Sequence, residues 1–179
     1  MDSPVVETSA PDADALRDAL FQLETVEQTL AHRRKTQGIR YFVPNPPQLQ
    51  ALKAPAKTLV YCGGNRAGKS TLGAALLTMH LTRQYPDCAC HGPWVPEAKR
   101  YHRPLKAVLV ATEFPIIERV IEPKLLALLP QDWIAPSGMK RTPQGYLRRL
   151  VGKDGGVVDI LSNEMAPMAF ESADWDVAW

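Results

Sequence analysis

The run Gly63-Gly-Asn-Arg-Ala-Gly68-Lys69-Ser70 carries glycine, four residues, Gly-Lys and a hydroxyl residue, the spacing of a phosphate-binding loop. Each residue type has a physical task in that pattern. Gly63 and Gly68 admit backbone conformations closed to other residues, so the N–H groups of Gly63, Gly64, Asn65, Arg66, Ala67 and Gly68 can turn inward as a nest for phosphate oxygens. A helix opening near Lys69 adds the positive end of its dipole. The Lys69 ammonium then reaches the β- and γ-phosphates, the Ser70 hydroxyl is a ligand for Mg²⁺, and Thr71 is a donor to the α-phosphate. Arg66 stands inside the loop, where small residues are commoner. Its guanidinium is either a solvated loop charge or an arginine finger acting on the γ-phosphate from within the same chain, which makes Lys69 and Arg66 the candidate catalytic pair.

A phosphate loop must be held between a strand and a helix, and the flanking residues supply both. Thr58 to Cys62 is a short apolar run rich in strand formers, and Lys69 to Arg83 has the character of a helix. Upstream, Asp12 to Lys35 places Leu16, Leu20, Leu23, Val26 and Leu30 three or four apart, with acids in the opening turns and Arg33, Arg34 and Lys35 at the end. This predicts an amphipathic helix whose charges complement its own dipole. Tyr41 to Pro55 reads as a proline-punctuated connection entering a short helix near Gln48, and Tyr85 to Pro104 as a long aperiodic connection. Leu105 to Ala111 is the next buried strand and Ile116 to Leu129 the next helix. Residues 133–153 form a basic hairpin with turn signals at Pro136-Ser-Gly138 and Pro143-Gln-Gly145. Gly156 to Ser162 is a further strand, and a last apolar run begins at Asp174. Strands alternating with helices predict an α/β domain with a mainly parallel sheet.

At 179 residues, 45% hydrophobic and 22% charged, the chain has the composition of about one globular domain, and a disordered tail is excluded. Its net charge is only +2, but residues 1–30 hold seven acids against Arg17 alone, so the remaining 149 residues carry +8. The organisation is an acidic helical segment over 1–40 and a basic domain over 41–179. No apolar stretch approaches the roughly 18 residues of a membrane span, and Met-Asp-Ser-Pro does not open a signal peptide. Cys62, Cys88 and Cys90 are too few and too odd in number for a disulfide framework, so a cytosolic, reducing setting is expected. Cys88-Ala-Cys90-His91 has zinc-capable atoms, but at a spacing tighter than zinc sites use. Lys99 to Lys106 and Lys140 to Lys153 suit contact with DNA phosphates and equally suit solvated faces. Trp133, Trp175 and Trp179 are expected in the core.

Tyr-Cys-Gly-Gly-Asn-Arg-Ala-Gly-Lys-Ser-Thr-Leu-Gly-Ala, preceded by Pro-Asn-Pro-Pro-Gln and followed by Leu-Val-Ala-Thr, Val-Asp-Ile-Leu-Ser and Phe-Glu-Ser-Ala-Asp-Trp-Asp-Val-Ala-Trp, resembles the ATPase domain of the bacteriophage terminase large subunit, the DNA-packaging motor. The likeness covers about Tyr41 to Trp179. It implies a P-loop NTPase fold of the RecA/ASCE type, incomplete at its carboxy-terminal side and preceded by the amino-terminal helix. It further implies ATP and Mg²⁺ as cofactors and hydrolysis coupled to translocation of double-stranded DNA into the procapsid. Portal protein and small terminase subunit are the implied partners, in a homo-oligomeric ring in the host bacterial cytoplasm. Gln48 matches the family's adenine-reading glutamine, with Gln50 as the fallback. Either can instead be a solvated residue of a helix's first turn.

The departure from the family concerns catalysis. There, the terminal apolar strand is followed by an Asp-Glu pair that supports Mg²⁺ and positions the attacking water, whereas this sequence stops at Trp179. Asp174 and Asp176 precede the apolar run and are not assigned those roles. The later sheet strands and the nuclease domain are likewise missing, so the chain reads as a fragment that binds nucleotide. The alternatives are a small nucleotide kinase, disfavoured by about 60 residues ahead of the loop, and a non-catalytic nucleotide-binding fragment that joins a partner chain. A positioned general base contributes about 10²–10⁴ in rate. Residues 1–179 are therefore expected to hydrolyse ATP no faster than their Lys69→Ala variant in a phosphate-release assay, and clear Lys69-dependent turnover is the opposing result.

Overall fold

A computed structural model of the chain describes residues 13–56, 58–62, 64, 66–88, 92–165, 170 and 174–179, with only the backbone of Cys88. Gly63 and Asn65 of the loop, and Cys90 and His91 of the zinc-capable cluster, lie outside the described residues. The chain divides into two units, Met1–Arg34 and Lys35–Trp179. In the first, α1 (Ala13–Thr36, whose last two residues fall in the second unit) follows the expected bounds closely, and none of its residues is buried.

The second unit is built around α3 (Lys69–Thr82), which buries Leu72, Ala74, Ala75, Leu77, Thr78, Met79, His80 and Leu81. A helix apolar on nearly every side must be enclosed on nearly every side. Leu77 and Leu81 face one cluster, with Ala107, Leu109, Leu125, Leu150 and Ile160. Leu72, Ala75 and Met79 face another, with Ile39, Phe42, Leu52, Trp94 and Val95. The first cluster lies under the sheet. The second is closed by a 3₁₀ turn at Gly38–Tyr41 and by α2 (Pro46–Lys53).

After a two-residue antiparallel pair, β1 (Asp87–Cys88) with β2 (Gly92–Pro93), the main sheet has the order β4-β5-β6-β3-β7. Its strands are β3 (Lys106–Ala111), β4 (Ile134–Arg141), β5 (Leu147–Gly152), β6 (Val157–Ser162) and β7 (Val177–Ala178). A helical stretch between β3 and β4 runs as α4 (Phe114–Ile116), a π turn (Ile117–Ile121) and α5 (Glu122–Leu128), and packs Ile117, Ile121 and Leu125 onto the sheet.

The sheet is mixed rather than mainly parallel. β3 pairs in parallel with β6 and β7, but β4, β5 and β6 run antiparallel because the basic hairpin adds itself to the β6 edge. One-sided burial permits this: Leu147 and Leu150 face the core, while Arg149 pairs with Asp159 across the other face. Pro143-Gln-Gly145 makes the turn as expected, with Gly145 N–H donating to the Thr142 carbonyl at 2.9 Å. Pro136-Ser-Gly138 does not turn the chain. It is an irregularity within β4, where Ser137 takes a φ of 58° and the register with β5 shifts between Ile134 and Met139.

Thr58 to Cys62 also departs from expectation, since none of the described strands pairs with it and Val60 is 80% exposed. Strand-forming residues stabilise a strand only where a neighbour completes the ladder. The described sheet ends at β7, secured to β3 by Trp179 N–H to the Val108 carbonyl at 2.8 Å and Val110 N–H to the Trp179 carbonyl at 2.7 Å. The Trp179 indole lies directly over Gly73 of α3, where any Cβ would overlap its ring. Gly73→Ala is therefore expected to lower stability by about 1–3 kcal/mol in denaturant unfolding, with Trp179→Leu recovering much of the loss.

Candidate phosphate-binding site

The described part of the loop is a tight bend. Arg66 has φ of 66° and Gly68 of 77°, and Ala67 N–H donates to the Gly64 carbonyl at 3.3 Å. Left-handed conformations at Arg66 and Gly68 reverse the chain direction within a few residues, and the Ala67 N–H is taken up by the Gly64 carbonyl. α3 opens at once, its first helical bond running from Leu72 N–H to the Gly68 carbonyl at 2.9 Å. The amino-terminal end of the helix dipole therefore adjoins the bend. The Lys69 ammonium folds over the bend and donates to the Gly64 carbonyl at 2.9 Å. Arg66 is exposed, while Ser70 and Thr71 are half-buried at the helix mouth.

Gln48 is only 4% exposed and holds this bend from below. Its Nε2 donates to the Gly68 carbonyl at 3.0 Å, while its Oε1 accepts from Asn45 N–H at 2.9 Å. Asn45 Oδ1 in turn accepts from Gln48 N–H at 3.0 Å, so Asn45 and Gln48 form a capping box at the start of α2. Both ends of the Gln48 amide thus have partners within the protein. A Cβ on Gly68 would lie 2.5 Å from Gln48 Nε2, a second reason, besides the positive φ, for glycine there. Gln50, on the same helix, is exposed. The Asn-x-x-Gln spacing was the available signal for this mooring.

Beside the bend, a cavity of about 720 Å³ opens between α3 and β7. Lys69 and Ser70 stand among its lining residues, Leu59, Leu76 and Trp179 give it apolar wall, and His80, Arg100 and Tyr101 give it polar wall. Asp176 also lines it, but its carboxylate pairs with Arg103 and accepts from Lys106 N–H at 2.9 Å, so the Arg103 guanidinium holds it below the usual carboxylate range. Asp176 thus secures β7. The other basic segments show the same habit: Arg100 pairs with Glu97, Arg141 with Glu122 and Arg149 with Asp159, while Lys99 donates to the Ala54 carbonyl at 2.9 Å.

The polar wall contains a cluster that sequence reasoning missed. His80 is 4% exposed, its Nδ1 lies 3.1 Å from the Tyr85 hydroxyl, and its ring meets Tyr85 and Tyr101 edge-on. The Tyr85 hydroxyl accepts from Tyr101 N–H at 2.8 Å, leaving its own proton for Nδ1 of a neutral imidazole. Burial, and then the Lys99 charge, lower the His80 pKa to about 4. Burial likewise pushes the Tyr85 phenol up.

Comparison with known protein families, characterised proteins and solved structures finds no match to this chain. Among the described residues no group of three or more histidine, cysteine or acidic side chains could hold a metal, and no helix is long and apolar enough to cross a membrane.

The His80 environment has a defined pH signature. Well above its ordinary value of 6.5 the group is neutral in folded and unfolded chains alike and contributes no slope. Between there and its folded value of about 4, the unfolded chain gains a proton that the folded chain refuses. Stability then falls with pH by up to about 1.4 kcal/mol per unit from this residue. The difference in unfolding free energy between the wild type and His80→Gln should shift steadily against the wild type below pH 6.5 in urea titrations. An unchanging difference would remove burial as the cause.

Proposed function

We propose that residues 41–179 are the nucleotide-binding part of a P-loop ATPase of the terminase large-subunit kind, which in its full-length form couples ATP hydrolysis to movement of double-stranded DNA. The observation that carries this reading is the left-handed bend opening directly onto α3 with the Lys69 ammonium folded across it. The donor set fits a nucleotide triphosphate. The amino-terminal end of α3, with its positive dipole, suits phosphate oxygens, and the Lys69 ammonium would exchange the Gly64 carbonyl for the β- and γ-phosphates. The Ser70 hydroxyl is the magnesium ligand, Thr71 donates to the α-phosphate, and exposed Arg66 can swing its guanidinium over the γ-phosphate. Bound Mg²⁺ would neutralise charge on the phosphate oxygens.

Within this reading Gln48 acts as a mooring rather than as a reader of adenine, because releasing its amide would leave the Gly68 and Asn45 bonds unmade. Lys69→Ala should weaken binding of fluorescent ATP with Mg²⁺ at least tenfold while leaving unfolding unchanged; equal affinity would overturn the site. Gln48→Ala should weaken ATP and GTP binding by the same factor and lower stability by about 1–2 kcal/mol. A loss confined to adenine nucleotides would return Gln48 to the reading role.

A further inference from the structure

We infer that α1 is a self-association element in which two copies of this chain pair their amino-terminal helices antiparallel. The inference does not rest on the nucleotide reading. Leu16, Leu20, Phe21, Leu23, Val26 and Leu30 are 39–72% exposed, and no residue of α1 is buried. Most helical stability in proteins comes from packing an amphipathic face, and in α1 that face is not buried, so its apolar stripe calls for a partner. Positions 16, 20, 23, 27, 30 and 34 advance in alternating steps of four and three, the repeat of a coiled-coil seam.

Charge selects both occupant and direction. Asp14, Asp18 and Glu24 lie in the first half of the helix, with Arg17, 3.5 Å from Asp14, as the exception; the second half holds Glu27 near the middle and then Arg33, Arg34 and Lys35. Each helix therefore has an acidic and a basic half, and a second copy running the opposite way sets acidic against basic twice. Parallel pairing would instead stack Glu27 on Glu27 and Arg34 on Arg34 within the seam. The antiparallel pair is closed by a two-fold axis, unlike the head-to-tail contacts of a ring.

The test is sedimentation of the full 179-residue chain from 1 to 100 µM. A monomer–dimer equilibrium is expected, weakened at least tenfold between 50 and 500 mM salt. Leu20→Glu with Leu23→Glu should abolish it. Tryptophan fluorescence is the folding control, since every tryptophan (Trp94, Trp133, Trp175 and Trp179) lies outside α1. Asp18→Lys with Glu24→Lys makes both halves basic and should also abolish association. Mixing that variant with Arg33→Glu, Arg34→Glu should restore it. A wild-type chain monomeric at 100 µM in low salt, a dimer indifferent to the leucine substitutions, or one indifferent to the Asp18/Glu24 reversal would each overturn the proposal.

Discussion

The enclosure of α3 is the constraint from which the second unit is built. Its leucines and Met79 leave almost no face for solvent, so the chain supplies a sheet on one side and α2 with the Gly38–Tyr41 turn on the other. Two core clusters thereby meet on one helix, and the helix start is held against lateral movement. On the nucleotide reading proposed above, this fixation would favour binding, because affinity depends on donors placed before the ligand arrives. The Gly68 carbonyl carries that link most directly, receiving both the Leu72 amide of α3 and the Gln48 side chain of α2.

Charge in the second unit serves fixation before it serves recognition. The sequence shows a basic domain, and simple counting would spread that charge over a nucleic-acid surface. In the structure Arg103 ties β7 through Asp176, Arg141 ties the hairpin to α5 through Glu122, and Arg149 ties β5 to β6 through Asp159. Glu122 is buried, so its guanidinium partner offsets a desolvation that would otherwise be costly.

Much of the architecture was legible from periodicity and turn chemistry. The bounds of α1 and α3, the β3 and β6 strands, the helix between β3 and β4 and the Gly145 turn follow from local patterns that tertiary packing did not override. Other features were not legible. The sheet's mixed character depends on which edge the hairpin joins, a non-local choice no local pattern encodes. Pro136-Ser-Gly138 carries the residues of a turn, yet it sits inside a strand because a bulge uses the same positive-φ chemistry. The His80, Tyr85 and Tyr101 cluster joins residues from α3 and a long connection, and its members look unremarkable in isolation. For the loop, the glycine and lysine spacing was sufficient to locate the bend, but the role of Gln48 as its anchor required seeing where its amide points.

The unpaired Thr58–Cys62 segment bears on how the bend is held. A phosphate loop slung between a ladder strand and a helix is fixed from both ends, and the sequence pattern suggested that arrangement. Here the described ladder ends at β7, Val60 faces solvent, and the segment contributes only Leu59 and Tyr61 to the cluster around Leu72. The restraint on the bend accordingly comes from helices: α3 through Gly68, α2 through Gln48, and Lys69 reaching back to Gly64. β7, at which the described ladder ends, and the Thr58–Cys62 segment both border the cavity, whose wall includes Leu59, Leu76, Val177 and Trp179. The segment ahead of the bend is thus its least restrained side, and geometry at Gly64 should respond more to what enters that cavity than geometry at Gly68, which two helices already hold.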